Sequence, residues 1–182
     1  MAKLSEGTIA KTLWRKYGIG QTVAANIYYW AFESDLLILR KSGYAVEYEI
    51  KLTVGDWNAG LEKRCRLNEN NSNKRRRQLY INDPNLISRH EYLTQGLGTN
   101  MFYYVAPEEV LEKVEIPEWA GVIVARENRS ANFCITSIRK NARFLHKKKQ
   151  PPGLEKKILT SCYYKYWQHY AAKDINLMRR TQ

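Results

Sequence analysis

The sequence predicts an α/β fold in which a mixed central sheet is flanked by helices. Three observations carry that expectation. The chain has 182 residues at 44% hydrophobic and 26% charged composition, enough apolar material for one sizeable core and too much for a disordered chain. Strand and helix periodicities alternate along it, in the order helix, hairpin, helix, strand, strand, helix. Two short runs, Met101–Ala106 and Ala120–Ala125, are apolar on both faces, as strands covered by helices on each side must be.

The first element is a helix. Ile9, Leu13, Trp14 and Tyr17 fall on one face, Ser5 can cap the start, Glu6 complements the dipole in the first turn, and Gly18 can end it. A hairpin follows. Asp35–Lys41 reads as its first strand, continuing backward through Ile27–Phe32, and Ser42-Gly43 supplies turn chemistry. Ala45–Thr53 alternates, with Val46, Tyr48, Ile50 and Leu52 on one face and Glu47, Glu49 and Lys51 on the other. Residues 58–67 predict a short helix, Asn68–Arg77 a polar basic loop, and Leu86–Thr94 a helical stretch. Pro107 ends the strand at Met101–Ala106; Glu108–Val114 predicts a short helix and Phe133–Ile138 an edge strand. Leu154, Ile158, Cys162, Tyr166 and Tyr170 recur every fourth residue and predict a long basic amphipathic helix. The expected organisation is a core over 1–146 with a basic insertion near 63–79, a linker at 147–153, and a helical tail at 154–182.

Several function classes are excluded early. No apolar run approaches the ~18 residues of a membrane span, and residues 1–20 are too charged for a secretion signal. Cys65, Cys134 and Cys162 are odd in number and form no CxxC pair, so neither a disulfide framework nor a structural zinc site is expected, and a reducing cytoplasmic setting follows. Gly18-x-Gly20 and Gly96-x-Gly98 lack the remaining glycine and the lysine of nucleotide-binding loops.

The charge points to a partner. The net charge is +12, and it is segregated. Lys63, Arg64, Arg66, Lys74, Arg75, Arg76 and Arg77 oppose only Glu69; a second basic segment begins at Arg139 and includes Lys147, Lys148 and Lys149. These ten residues are the candidate contacts to a polyanion, and the chain outside the two segments 63–79 and 139–182 is net acidic.

The acidic chemistry lies in the hairpin. With Ser42–Tyr44 as the turn, pairing is symmetric about residue 43 and Asp35 falls opposite Lys51, on the same face as Glu49. Carboxylates that close repel unless a cation lies between them, and a hard divalent ion with oxygen ligands suits them, with Lys51 beside it.

Asp35, thirteen intervening residues and then Glu49-Ile50-Lys51 resemble the PD-(D/E)XK nuclease superfamily. The resemblance extends over about residues 5–125 and takes in Arg89-His90, Asn100–Pro107 and Trp119–Val124. Small bacterial and phage members look most similar. The resemblance implies a restriction-endonuclease-like αβββαβ core, to which the basic C-terminal helix is added. It implies an endodeoxyribonuclease in which Asp35, Glu49 and the Ile50 carbonyl hold Mg²⁺ or Mn²⁺, while Lys51 orients water or stabilises the transition state. It adds Glu6 and His90 as candidate catalytic residues, DNA as partner with RNA an open alternative, a homodimer as a compatible assembly, and the cytoplasm of a bacterial or phage-infected cell. Ser34 replaces the proline of the motif's name. The rival reading is a non-catalytic nucleic-acid-binding protein on the same kind of fold.

Overall fold

A computed structural model describes residues 4–66, 86–128 and 133–180, with the side chains of the last helix described as far as residue 171. Arg66 is described in its backbone alone, and Lys74, Arg75, Arg76 and Arg77 lie outside the described residues.

Helix α1 (Glu6–Leu13) starts where the sequence places it. Ser5 Oγ accepts from Thr8 N–H, and the Thr8 hydroxyl accepts from Ser5 N–H in return. A single π turn, Trp14–Gly18, ends the helix. That turn rotates Trp14 away from the apolar face: Ile9 and Leu13 are buried, whereas Trp14 is exposed, contrary to the expected stripe. Strands β1 (Thr22–Tyr28) and β2 (Glu33–Leu39) form an antiparallel pair. The sequence run was expected to be one strand from Ile27 onward, but residues 29–32 turn the chain back.

Strand β3 (Ala45–Ile50) pairs antiparallel with β2, Leu39 opposite Ala45 and Leu36 opposite Tyr48. This register is centred on residue 42 and not on 43. The reason is the turn. Gly43 N–H donates to Arg40 O, Arg40 N–H to Tyr44 O, and Gly43 takes a left-handed φ of 83°, giving a three-residue loop closed by a glycine. Continued along the strands, the register sets Asp35 opposite Glu49, not Lys51. A shift of two residues keeps every side chain on its expected face.

Helix α2 (Val54–Leu61) is capped by Thr53, whose hydroxyl accepts from Asp56 N–H. The expected helix over 58–67 therefore starts earlier, and the chain then forms β4 (Arg64–Arg66) paired with β5 (Leu86–Ser88). The predicted helical stretch from Leu86 begins only at Arg89, as α3 (Arg89–Thr94), capped by Ser88. Then come β6 (Met101–Ala106), α4 (Glu108–Leu111), β7 (Gly121–Arg126), β8 (Ile135–Lys140) and α5 (Gly153–Arg180).

The main sheet has the order β1-β2-β3-β6-β7-β8. Strands β3, β6 and β7 are parallel and the outer pairings antiparallel, so the fold is α/β with a mixed six-stranded sheet. One face, bearing Leu36, Ile38, Val46, Tyr48 and Ile50, packs on Ile9 and Leu13 of α1. The other carries two cores. Phe102, Tyr104 and Val122 meet Trp57 of α2 and Leu93 of α3, whereas Leu37 and Ala45 meet Leu154 and Ile158 of α5. Between these cores lie Glu47 and Glu49.

Helix α5 does not present the face its four-residue spacing predicts. Leu154 and Ile158 are fully buried and Cys162 half-buried, but Tyr166 and Tyr170 are exposed. Each step of four residues advances about 400° around a helix of 3.6 residues per turn, so the stripe drifts about 40° per step off the sheet. Lys165 takes over the inner face, its ammonium donating to the carbonyls of Ala25 and Asn26 at 2.8 and 2.5 Å. The segment 147–153 is fastened at the hairpin end of the sheet: Gln150 N–H donates to Gly43 O, and the buried Asn100 amide to Lys148 O.

Candidate active site

Lys51 N–H donates to Val105 O on β6, so by strand alternation the N–H and carbonyl of Ile50 face β2. The β2–β3 ladder stops one pair short of them, at Leu36–Tyr48. Asp35 fills the gap: its Oδ2 accepts from Ile50 N–H at 2.7 Å. On β1 the same level carries Asn26, between the pairs Ala25–Leu36 and Ile27–Ser34, with φ 51°. The irregularity turns Ser34 toward Glu47, to which its hydroxyl donates at 2.8 Å.

Glu47, Glu49 and Lys51 are all buried. Their counter-charge is Arg89, the first residue of α3, itself buried. One guanidinium nitrogen donates to Glu47 Oε1 and to the Glu33 carbonyl. The other lies 2.6 Å from Glu49 Oε2, close enough for charge pairing but out of line for a hydrogen bond, which leaves that buried oxygen without a donor. Lys51 Nζ sits 3.0 Å from Glu49 Oε1 and 3.3 Å from Asp56 Oδ1.

Three buried or half-buried carboxyl groups thus face two cations, and the surplus falls on Asp35. Burial first, then the charge of Glu49, pushes its carboxyl up to about 7, against the opposing pull of the Ile50 N–H, Lys51 and Arg89. Burial also raises Glu47 above the ordinary range, even with Arg89 beside it. Burial alone would raise Glu49, but Arg89 and Lys51 outweigh it and hold Glu49 low. Burial opposes the charge of Lys51, yet Glu49, Asp56 and Asp35 keep its ammonium raised and protonated.

A cleft of about 470 Å³ opens beside this cluster, lined by Glu49, Lys51, Trp57, Arg89, His90 and Tyr104, with Arg64 and Glu115 farther out. His90 Nε2 lies 2.6 Å from the Tyr104 hydroxyl, and its ring packs edge-on against Trp119. Burial, then Arg89 and Arg64, hold the imidazole below its ordinary value, so it is neutral near pH 7.

Among the described residues, no three His, Cys, Asp or Glu side chains are spaced to hold a metal. The donor set here is of another kind: the Asp35 carboxylate, the undonated Oε2 of Glu49, and the Ile50 carbonyl facing the opened ladder. These are hard oxygens, with the unmatched charge falling on Asp35, and their chemistry fits a Mg²⁺ or Mn²⁺ ion.

Asp35, Glu49, Ile50, Lys51 and His90 are therefore brought to one side of the sheet, and Arg64 to the cleft mouth. Lys63 is exposed close by and contributes to the low position of Glu49. Glu6 is not brought in: it is exposed on α1, which covers the opposite face. Lys147, Lys148 and Lys149 are exposed at the Gly43 and Asn100 end of β3, away from Lys51. Two contributors escape the sequence reading in their actual roles, Arg89 as the buried clamp and Tyr104 as the partner of His90. The part of the signal for Arg89 present in the sequence is Ser88-x-x-Glu91, a capping box that fixes Arg89 as the first residue of a helix.

No family model matches the chain, and no curated protein matches it. A solved structure from Silicibacter pomeroyi, SPO1766, described as a protein of unknown function, is similar with a TM-score of 0.53 at 13% identity. The likeness covers 98% of this chain and 94% of that one, and at such identity it shows the fold alone. No helix among the described residues is long and apolar enough to cross a membrane.

Proposed function

We propose that the protein is a metal-dependent nuclease of the PD-(D/E)XK type, an endodeoxyribonuclease built on a restriction-endonuclease-like core. The observation that carries this reading is the surplus carboxyl group: Asp35, opposite Glu49 and pushed up to about 7, beside an opened ladder and a lysine-lined cleft. A structural salt-bridge cluster has no need of that third, unmatched acid.

Asp35, Glu49 and the Ile50 carbonyl would hold the ion. When bound, Mg²⁺ or Mn²⁺ supplies a low-pKa water and neutralises charge on the scissile phosphate. Lys51, held protonated, donates hydrogen bonds to the attacking water or to the charge developing on the phosphate. Arg89 fixes Glu47 and Glu49, so that Glu49 presents one geometry to the cleft. Arg64 and Lys63 grip the nucleic-acid backbone at the mouth. The neutral His90, anchored by Tyr104, stands where it can take or give a proton at the cleft wall.

One observation favours the second reading, a non-catalytic nucleic-acid-binding protein: Glu49 is already matched by two cations, Lys51 and Arg89. Cleavage separates the two. Labelled linear, circular, branched and single-stranded substrates should be cut with Mg²⁺ or Mn²⁺ and left whole in EDTA. Asp35→Ala and Lys51→Ala should each lower the rate by several orders of magnitude, and the double variant should be hardly worse, because the groups act as one unit. Full activity in EDTA, or near-normal cleavage by Asp35→Ala, would remove the metal assignment.

A further inference from the structure

Beyond Cys162, helix α5 turns a row of aromatic rings outward. Tyr163, Tyr166, Trp167 and Tyr170 are exposed, from 47% for Trp167 to 61% for Tyr166. They contact one another: Tyr163 to Trp167 at 6.1 Å between ring centroids, Tyr166 to Tyr170 at 6.2 Å, and Trp167 to Tyr170 at 5.6 Å. Such rings on an outward helix face signal an interaction surface.

The position and charge of the row select the partner. Lys165, on the inner side, is bonded to the carbonyls of Ala25 and Asn26, the level of β1 that faces Asp35. The aromatic row therefore leaves the body beside the candidate catalytic strand. The chain from Arg139 onward has twelve basic residues against Glu155 and Asp174. A second copy placed on this face would bring two such segments together, whereas a polyanion is complementary to them. Rings three or four residues apart rise about 4.5–6 Å along a helix at ~1.5 Å per residue. That is wider than the ~3.4 Å step of stacked bases in a duplex. Intact duplex hides its base faces; a single strand offers them, and aromatic rings accept any base.

We propose that the outward aromatic face of α5, formed by Tyr163, Tyr166, Trp167 and Tyr170, is a stacking platform for the unpaired bases of a single strand. The proposal rests on the nucleic-acid reading above and deepens it, making the substrate a duplex with a frayed, flapped or single-stranded portion. The strand would run from the cleft past Asp35 onto the tail.

The test is fluorescence anisotropy of the full-length protein in EDTA, with a labelled oligothymidylate and a labelled blunt duplex of equal length as probes. The triple variant Tyr166→Ala, Trp167→Ala, Tyr170→Ala should bind the oligothymidylate at least about tenfold more weakly, given the usual effect of removing stacked rings. Its affinity for blunt duplex should be unchanged. The variant Tyr166→Phe, Trp167→Phe, which keeps the ring faces, should bind like the parent. Unchanged oligothymidylate affinity in the triple variant, or an equal loss on both probes, overturns the platform. So does sedimentation showing a dimer that the triple variant dissociates while oligothymidylate affinity stays the same, which would give the face to a second copy. Because binding is read without metal, it is separate from the cleavage chemistry. A parent protein that cuts none of the substrates with Mg²⁺ or Mn²⁺ would defeat the nuclease reading while leaving the platform standing.

Discussion

Asp35 carries a pH signature that needs no substrate to observe. Its carboxyl titrates at about 7 in the folded protein against an ordinary value near 3.8. Between those values the folded state binds the extra proton, so the contribution of this group to stability is full below about pH 4 and is lost as pH rises through about 7. In EDTA, the melting temperature should fall across that window, and Asp35→Asn should flatten the fall. Added Mn²⁺ should restore stability at pH 7 in the parent but not in Asp35→Asn, as a ligand that binds only the folded state must. A parent melting curve flat from pH 4 to 7 would mean the acid has found a partner elsewhere. Arg89 makes the complementary case. Removing it as Arg89→Ala leaves Glu47 and Glu49 buried without their clamp, and breaking such a buried pair costs about 3–5 kcal/mol. Chemical denaturation should show that loss at neutral pH.

Among the elements, α5 separates packing from recognition along one helix. Its first turns seat Leu154 and Ile158 against Ala24, Ile27, Leu37 and Ala45. Ile158→Ala should therefore cost about 2–5 kcal/mol, as large-to-small changes in a core do. Tyr166→Ala, two turns on and exposed, should leave the denaturation midpoint within about 0.5 kcal/mol of the parent. Equal effects from the two substitutions would show that the distal rings also pack. The hairpin gives a second contrast. Gly43 holds the turn in a left-handed conformation that sets the β2–β3 register, and with it the facing of Asp35 and Glu49.

At the scale of the whole molecule, the candidate phosphate contacts among the described residues fall at two ends of β3. Lys63 and Arg64 stand at the Lys51 end, beside the cleft, whereas Lys147, Lys148 and Lys149 stand at the hairpin end. Each phosphate contact on duplex DNA contributes about 0.9 to the slope of log affinity against log salt. Neutralising Lys63 and Arg64 to alanine should flatten that slope by up to about 2. The same change at Lys147, Lys148 and Lys149 should alter it less, because those side chains sit away from the cleft. Titration of DNA binding over a salt series measures both, and a larger effect at the hairpin end would relocate the binding track.

Periodicity and capping chemistry are local, and the sequence by itself determined what depends on them. The α/β class, Ser5 as a cap, the buried strands at Met101 and Gly121, and the two faces of β3 all follow from side-chain spacing within a few residues. So does the grouping of Glu49 and Lys51, since alternation fixes a face whatever the exact register; Asp35 joins them at the strand irregularity, through its bond to Ile50 N–H. Tertiary structure decided what covers each face. No spacing in the hairpin says that Arg89, forty residues beyond Glu49, enters the same layer and turns a sheet surface into a buried ion cluster. Nor does it say that Glu6 lies behind the sheet, or that Lys165 replaces Tyr166 on the inner face of α5. Burial of charge depends on long-range packing, and that packing makes Asp35 an acid titrating near neutrality rather than an ordinary aspartate.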